Sequence, residues 1–466
     1  MYKVTTHMKG KSEIIGNIIN LDTGEIYEPK FQNYTCPEDY KKDGIDGLEP
    51  MTAKEYLNPN MLTEMLDSED YIAEEKLDGT RQLLYLLSVN RLFSRNIVKK
   101  TGWYAENSDK LPHLRDFNTP KELYGTVLDG ELRIDGQGFK EVSSTMNCVW
   151  NEAILRQTRL GFVTLHTFDI IYYKGVYVAK LPLRRRKELL KKVVDALGCE
   201  YVKCEPYATK TIYKYIDQPL IDAFERGDLK QAYPHLHTAL VNGLTTLKPT
   251  YLYLNKREWY EYIVFNGGEG LMLKPLDGTY RHMRGREYTK WKKFITRDVV
   301  IVDYQDPSRD YTGKEADNPN AVWHYWYDAE DDSRIVHEDM TMQEAEEQGL
   351  LPCTKSYALE WIGTIKYGVL ITEEELKAWH KKNPKDKAEV LIVNNREYLV
   401  VGKCSGFDDD IAKYVTHNKE ALLETVIEVG ANEIMKTGKL RHPRFIRFRD
   451  DKSFEMCDWS THMGID

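Results

Sequence analysis

A lysine can attack a phosphoryl group only if its amine is exposed, its proton affinity is lowered by nearby cations, and other cations hold the phosphate oxygens. The hexapeptide Lys76-Leu77-Asp78-Gly79-Thr80-Arg81, preceded by Glu74-Glu75, offers these groups in order: a lysine at a strand end, a tight Asp-Gly turn and an arginine. The same residues also suit a type I′ hairpin turn with charged flanks. The chemical reading therefore needs partners elsewhere in the chain.

Partners follow in sequence order. Asp129-Gly130-Glu131 closes an apolar strand with two carboxylates suited to a divalent cation or a ribose hydroxyl, although alone it reads as another Asp-Gly hairpin. Phe168, in Phe168-Asp169-Ile170-Ile171, offers a ring for a purine, and a strand aromatic equally suits a core. Gly267-Gly268-Glu269-Gly270 sets Glu269 between glycines, which let backbone and carboxylate approach a ligand closely; a plain surface loop is the alternative. In Lys290-Trp291-Lys292-Lys293, strand alternation puts Lys290 and Lys292 on one face, a two-pronged grip for a phosphate or an edge strand protected by lysines.

These residues need elements to hold them. Strand-like apolar runs at Leu83–Val89, Tyr124–Ile134 and Phe162–Tyr173 dominate the first part, and Leu183–Leu197 carries apolar residues at helical spacing before Gly198. Up to about residue 70 the text is polar and turn-rich, predicting short strands and loops. This pattern predicts an α+β domain of antiparallel sheets with flanking helices. A second block starts near residue 296. It has a strand at Val299–Tyr304, a strand pair over Tyr357–Ile371, a helix capped by Thr372 and Glu375, a further helix from Asn418, and strands at Thr425–Lys436 and Phe445–Phe448. Short strands with a helix between them predict a small β-barrel such as an OB-fold.

Composition and charge bound the reading. The chain has 466 residues, 41% hydrophobic and 30% charged, which excludes pervasive disorder and allows two or three domains. Net charge is −9, yet Asp328–Glu347 alone carries −8, so the other 446 residues carry about −1. Against that background, Arg281–Arg297 has seven Lys/Arg and one Glu, and Lys439–Lys452 has six Lys/Arg and two Asp. Either run can face phosphates or simply water. Seven cysteines without a CxxC pair argue for reduced thiols rather than a zinc ribbon or disulfide framework, and no apolar run is long enough to span a membrane. A cytoplasmic protein is expected.

In order, KLDGTR (Lys76–Arg81), FSRN (Phe93–Asn96), DGEL (Asp129–Leu132), FDIIYYKG (Phe168–Gly175), EGLMLK (Glu269–Lys274), KWKK (Lys290–Lys293) and LRHPRFIRFRDDK (Leu440–Lys452) resemble the successive motifs of ATP-dependent DNA ligases. These belong to the covalent nucleotidyltransferase superfamily. PLRRRKELL (Pro182–Leu190) also resembles the helix after the fourth motif. The resemblance spans residues 71 to 452. It implies an adenylation domain over 1–295, with a short N-terminal extension and an insertion near 200–255. An OB-fold domain over 296–466 would follow, with an acidic insertion near 305–397.

The resemblance implies a nick-sealing cycle. Lys76 takes AMP from ATP with release of pyrophosphate, passes it to the 5′-phosphate of a nick in duplex DNA, and the 3′-hydroxyl then displaces AMP. By position, Glu74 reads the adenine amino group and Phe168 stacks on the base. Arg81 and Arg95 touch the ribose or nick phosphate. Glu131 and Glu269 serve the ribose and Mg²⁺, and Lys290 and Lys292 neutralise the α-phosphate. Arg447, Arg449 and Lys452 of the last motif orient pyrophosphate, with hinge motion expected about residues 294–298. A monomer is expected. The partner is nicked double-stranded DNA, bound locally and with strong salt dependence.

With 75 residues before Lys76, a compact ligase of the viral, phage or accessory bacterial type is expected, without the large N-terminal DNA-binding domain of many cellular ligases. The acidic insertion would repel a duplex and is expected away from DNA or against another protein. RNA ligases and mRNA-capping guanylyltransferases of the same superfamily are the near alternatives, and a non-catalytic OB-fold nucleic-acid-binding protein a distant one. EGLMLK, with Glu first, and the HPRF run (His442–Phe445) favour DNA ligase.

Overall fold

The computed structural model describes residues 1–9, 12–55, 59–244, 251–331, 334–405 and 407–464. Parts of both expected insertions, 245–250 and 332–333, lie outside the described residues. The chain divides into two compact units, Met1–Lys292 and Lys293–Asp466.

Two sheets build the first unit. The larger runs Val176–Tyr177, Thr164–Tyr173, Thr126–Arg133, Thr80–Leu86, Arg91–Val98, Trp103–Glu106, with Val202–Cys204 added parallel to Thr164–Tyr173. The smaller runs Tyr207–Ala208, Tyr71–Glu75, Gly270–Pro275, Arg284–Lys292, Thr52–Glu55. Alternation along each strand sorts the apolar residues into layers. Leu84, Leu86, Leu128 and Leu132 turn outward onto the helix Leu183–Leu197, whereas Leu83, Tyr85, Val127 and Ile171 turn inward toward Tyr280 and Tyr288. Ala73, Leu271 and Leu273 of the smaller sheet pack outward against Trp259 and Ile263 of the helix Lys256–Phe265. The layer between the sheets is apolar at one end; charged side chains collect at the other. The α+β architecture thus follows the alternation read from sequence.

Local readings differ in places. The first 70 residues hold a long hairpin, Tyr2–Lys9 with Ser12–Asn20, and two helices, Pro37–Lys42 and Pro59–Asp67, beside the expected loops. Asp129-Gly130 is no hairpin: it lies inside the strand Thr126–Arg133, where Phe168 of the neighbouring strand is left unpaired opposite it by a bulge. Asp78-Gly79 is no hairpin either, because the strands on its two sides belong to different sheets.

The second unit is built on a six-stranded antiparallel sheet, the curled sheet of an OB-type domain: Val390–Val393, Arg396–Cys404, Thr364–Leu370, Ile295–Gln305, Val426–Ala431, Arg444–Phe448. Val299 and Ile301 face one core, and Val300 and Val302 the other. Thr372 and Glu375 form the expected capping box of the helix Glu373–Lys382. The helix expected from Asn418 instead precedes it: Asp408 caps Asp409–His417, and Asn418 ends it. The strand pair expected over Tyr357–Ile371 is a short helix, Lys355–Ala358, and one strand, because Thr354 caps the helix. A separate sheet of Ile335–Thr341, Val322–Asp328 and Leu350–Pro352 occupies the acidic region. Thr364–Leu370 and Val390–Val393, read as part of the 305–397 insertion, are strands of the main sheet. Among the described residues no helix is long and apolar enough to cross a membrane, and all seven cysteines are free thiols.

Candidate active site

Lys76 sits where the chain leaves the smaller sheet for the larger one. Its backbone N–H donates to the Gly270 carbonyl at 2.8 Å, fixing the end of Tyr71–Glu75 against Gly270–Pro275. Two glycines make the crossing possible. A Cβ on Gly79 would fall 2.1 Å from the Leu132 carbonyl oxygen. At Gly270, φ is +136° and a Cβ would meet the Trp291 carbonyl oxygen at 2.1 Å.

A cavity of about 500 Å³ opens beside Lys76, in the range of small-molecule sites. Strand register explains its lining. Glu74, Met272 and Lys290 are cross-strand neighbours, and Lys274 and Lys292 lie two residues along on the same face. From the larger sheet come Arg81 and Glu131, directly opposite one another, with Arg95 and Phe168. Of the residues singled out in the first unit, all but Asp129 and Glu269 line this cavity, and Glu269 is ion-paired with Lys76.

The electrostatics suit a nucleophilic amine. Loss of water contact, then Lys292 and Lys290, lower the Lys76 ammonium to about 8, against the opposing pull of Glu131 and Asp78. Desolvation also pushes the Glu131 carboxyl up to about 7, although Arg81 and Lys76 partly hold it down. Glu131 therefore gains from any cation brought to it. Glu131 and Glu269 are hard oxygen donors of the kind Mg²⁺ takes one or two of, alongside phosphate oxygens and water, so the residues present fit that ion. Among the described residues no cluster of three or more His, Cys, Asp or Glu is arranged to hold a metal.

Some side chains are more tightly engaged than their motifs suggest. Arg81 forms a fork with Asp129, Nε to Oδ1 at 2.9 Å and Nη2 to Oδ2 at 2.5 Å, and Tyr280 donates to the same carboxylate at 2.6 Å. Glu74 is fully buried, one oxygen held by Lys187 and the other by Lys274. Lys187 also donates to the Phe168 carbonyl at 2.7 Å, and Lys274 lies 4.6 Å from the centre of the Phe168 ring. Behind them Arg186 grips Asp169, 2.7 Å at the closest, with Tyr288 donating to Asp169 at 2.8 Å.

Sequence alone gives no role to Lys187, Lys274 or the Arg186–Asp169 pair, and it offers Asp129 to a cation or a ribose hydroxyl, whereas Arg81 and Tyr280 occupy that carboxylate. A signal was present. Leu183, Arg186, Lys187, Leu190 and Val193 follow the apolar spacing of the helix, so two charged residues stand on a face that must be buried.

In the second unit, Arg447, Arg449 and Lys452 stand together on an acidic footing. Arg447 Nε donates to Glu428 at 2.7 Å, Arg449 reaches Asp298 at 2.9 Å and Asp451 at 2.8 Å, and Lys452 also pairs with Asp298.

Residues 50–219 match the family described as ATP dependent DNA ligase domain. DNA ligase 4 of Kluyveromyces lactis is 27% identical over 223 residues, covering 44% of this chain and 24% of that protein. The SPbeta prophage-derived DNA ligase-like protein LigB of Bacillus subtilis is 30% identical over 139 residues, 29% of this chain and 46% of that one. The chain thus aligns with less than half the length of either relative. Among solved structures, one of Lig E DNA ligases is 16% identical, with a TM-score of 0.43, covering 87% of this chain and all of that one. The ATP-dependent DNA ligase from bacteriophage T7, in complex with ATP, is 15% identical with a TM-score of 0.36, covering 86% and 98%.

Proposed function

With residues 50–219 belonging to the ATP dependent DNA ligase domain family, we propose that the protein is an ATP-dependent DNA ligase that seals 5′-phosphate/3′-hydroxyl nicks in duplex DNA through a lysyl-AMP at Lys76. One observation carries the reading: an amine lowered to about 8 by desolvation, Lys292 and Lys290 opens onto a nucleotide-sized cavity.

In the first step the neutral Lys76 amine forms an N–P bond to the α-phosphorus of ATP, and the bond to the departing pyrophosphate breaks. Lys290 and Lys292 lower the proton affinity of that amine beforehand and stabilise charge on the α-phosphate oxygens as it develops. Phe168 stacks on the base, with Lys187 and Lys274 fixing its surroundings. Arg81, held by Asp129, and Arg95 meet ribose or nick phosphate. Glu131 and Glu269 would hold Mg²⁺, which when bound neutralises phosphate charge. The 5′-phosphate of the nick then attacks the lysyl-AMP, releasing Lys76, and the 3′-hydroxyl attacks the adenylated phosphate, forming the phosphodiester and releasing AMP. In-line positioning and cations suffice for each transfer. Arg447, Arg449 and Lys452 orient pyrophosphate during the first transfer only.

Incubation with α-labelled ATP or GTP tests this. Label is expected on the protein from ATP and absent in Lys76→Ala, and a nicked DNA duplex is expected to be sealed. Label from GTP alone would move the assignment to a capping enzyme; sealing confined to RNA would move it to an RNA ligase.

A further inference from the structure

The second unit holds a cavity of its own, about 530 Å³, between the helix Glu373–Lys382, the short helix Trp459–Met463 and the turn at Lys436. Its walls are tied to one another. Trp379 Nε1 donates to the Thr437 carbonyl at 3.0 Å, and His462 Nε2 donates to the Gly438 carbonyl at 2.7 Å. At Gly438 φ is +81°, and a Cβ there would fall 2.3 Å from the Trp459 ring, so the turn seats against that ring only without a side chain. Ser460 donates to Glu375 at 3.2 Å and joins the two helices. The walls are thus fixed by contacts among themselves, and the cavity is preformed, as small-molecule sites usually are.

The lining decides what fits. Trp379, Trp459, Ala378 and Met463 give it aromatic and apolar surface, and Lys382 and Lys436 bring two ammonium groups to it. The acid among these described residues, Glu375, is already engaged: Oε2 accepts from the Thr372 N–H at 2.9 Å and hydroxyl at 2.8 Å, and Oε1 accepts from Ser460. Both lysines are exposed, and neither has an ion-pair partner among the described residues. A neutral apolar ligand would leave the two ammonium groups unused, a cation would be repelled, and inorganic phosphate would leave the rings uncovered. A flat ring carrying an anionic group meets both demands, since indole packs against its face and the lysines, as mobile point charges, take its charge.

We propose that this cavity is a binding site for a small aromatic anion, separate from the phosphoryl-transfer cavity, whose lining belongs entirely to the first unit. None of the seven motifs contributes to its lining, and the last of them begins at Leu440, four residues after Lys436. The site therefore goes beyond the ligase reading and stands without it.

The test titrates the full chain with 1-naphthyl phosphate by calorimetry. Lys382→Gln/Lys436→Gln is expected to weaken binding about tenfold or more, the scale of losing hydrogen bonds to a charged group, whereas Lys382→Arg/Lys436→Arg, which keeps the charge, is expected to stay within about threefold of wild type. Ala378→Trp fills the cavity from an exposed helix position and is expected to remove binding. Undetectable binding to wild type at millimolar probe overturns the proposal, as does unchanged binding in the glutamine variant, equal loss in the arginine variant, or full binding in Ala378→Trp. Binding that survives all three and is lost in Lys290→Met/Lys292→Met belongs to the first cavity, and overturns it too. The unfolding midpoint reports the fold. If Ala378→Trp melts early, the glutamine and arginine variants, changed only at exposed positions, decide alone.

Discussion

The two clusters of charge in this chain are built differently. Between the sheets of the first unit, Lys187 and Lys274 close on Glu74, and Arg186 on Asp169, with almost no solvent contact. On the second unit, Arg447 is 60% exposed against Glu428, and Asp451, a partner of Arg449, is 65% exposed. A buried pair is locked, because removing one partner strands the other without water. An exposed pair exchanges freely with water, salt or an incoming phosphate. The first cluster is therefore a fixed scaffold beside the cavity, and the second, although Arg449 itself is only 13% exposed, offers cations some of whose partners face water.

The largest test of that contrast is Lys187→Met. Lys274 still holds one Glu74 oxygen, so the cost falls at the low end for a broken buried pair, about 3 kcal/mol. Denaturant unfolding of the first unit is expected to move to lower concentration. No movement would mean that Glu74 is solvated after all. Next comes Arg449→Ala. If its cations serve only the first transfer, AMP labelling of Lys76 falls about 10²-fold, the scale of losing one preorganised charge-stabilising donor, while sealing of a pre-adenylated nick is retained. Equal loss in both assays would break the division of labour.

A smaller effect concerns pH. Because desolvation, Lys292 and Lys290 lower the Lys76 ammonium to about 8, the neutral fraction rises with pH, and the adenylation rate should climb through about pH 8 and then level. Lys292→Met removes a positive neighbour, so the Lys76 ammonium rises and the midpoint moves to higher pH. Arg449→Ala should leave the midpoint in place. A midpoint that ignores Lys292, measured as single-turnover rate against pH, would assign the limb to another group.

What could be read from sequence divides along the same line. Lys76, Glu131, Glu269, Lys290 and Lys292 stand in short motifs whose residue types reveal their chemistry, and the helix Leu183–Leu197 and the capping box at Thr372 follow local rules. Contacts set by tertiary packing were not legible. Asp129 holds Arg81 only because two strands fall in one register, and Lys187 meets Glu74 across 113 positions of chain. The Asp-Gly pairs misled for the same reason: a dipeptide that favours a turn also fits where a neighbouring strand leaves no room for a Cβ, as beside the His166 carbonyl at Gly130, 2.7 Å from the Cβ it lacks.

The smallest expected effect comes from Arg447→Met. Its partner Glu428 is largely shielded, but the guanidinium is mostly in water and its ion pair at 2.7 Å is one of several around the same carboxylates, with Arg449 4.0 Å away. Loss of such a pair changes stability by about 1 kcal/mol or less, and salt screens most of it. The melting of the second unit should shift by at most about 4 °C, with the difference from wild type shrinking as salt is raised. A shift as large as that from Lys187→Met, or one insensitive to salt, would mean that Arg447 is a fixed part of the OB-type sheet, and the contrast between a locked cluster and an exchangeable one would fail at its weakest member.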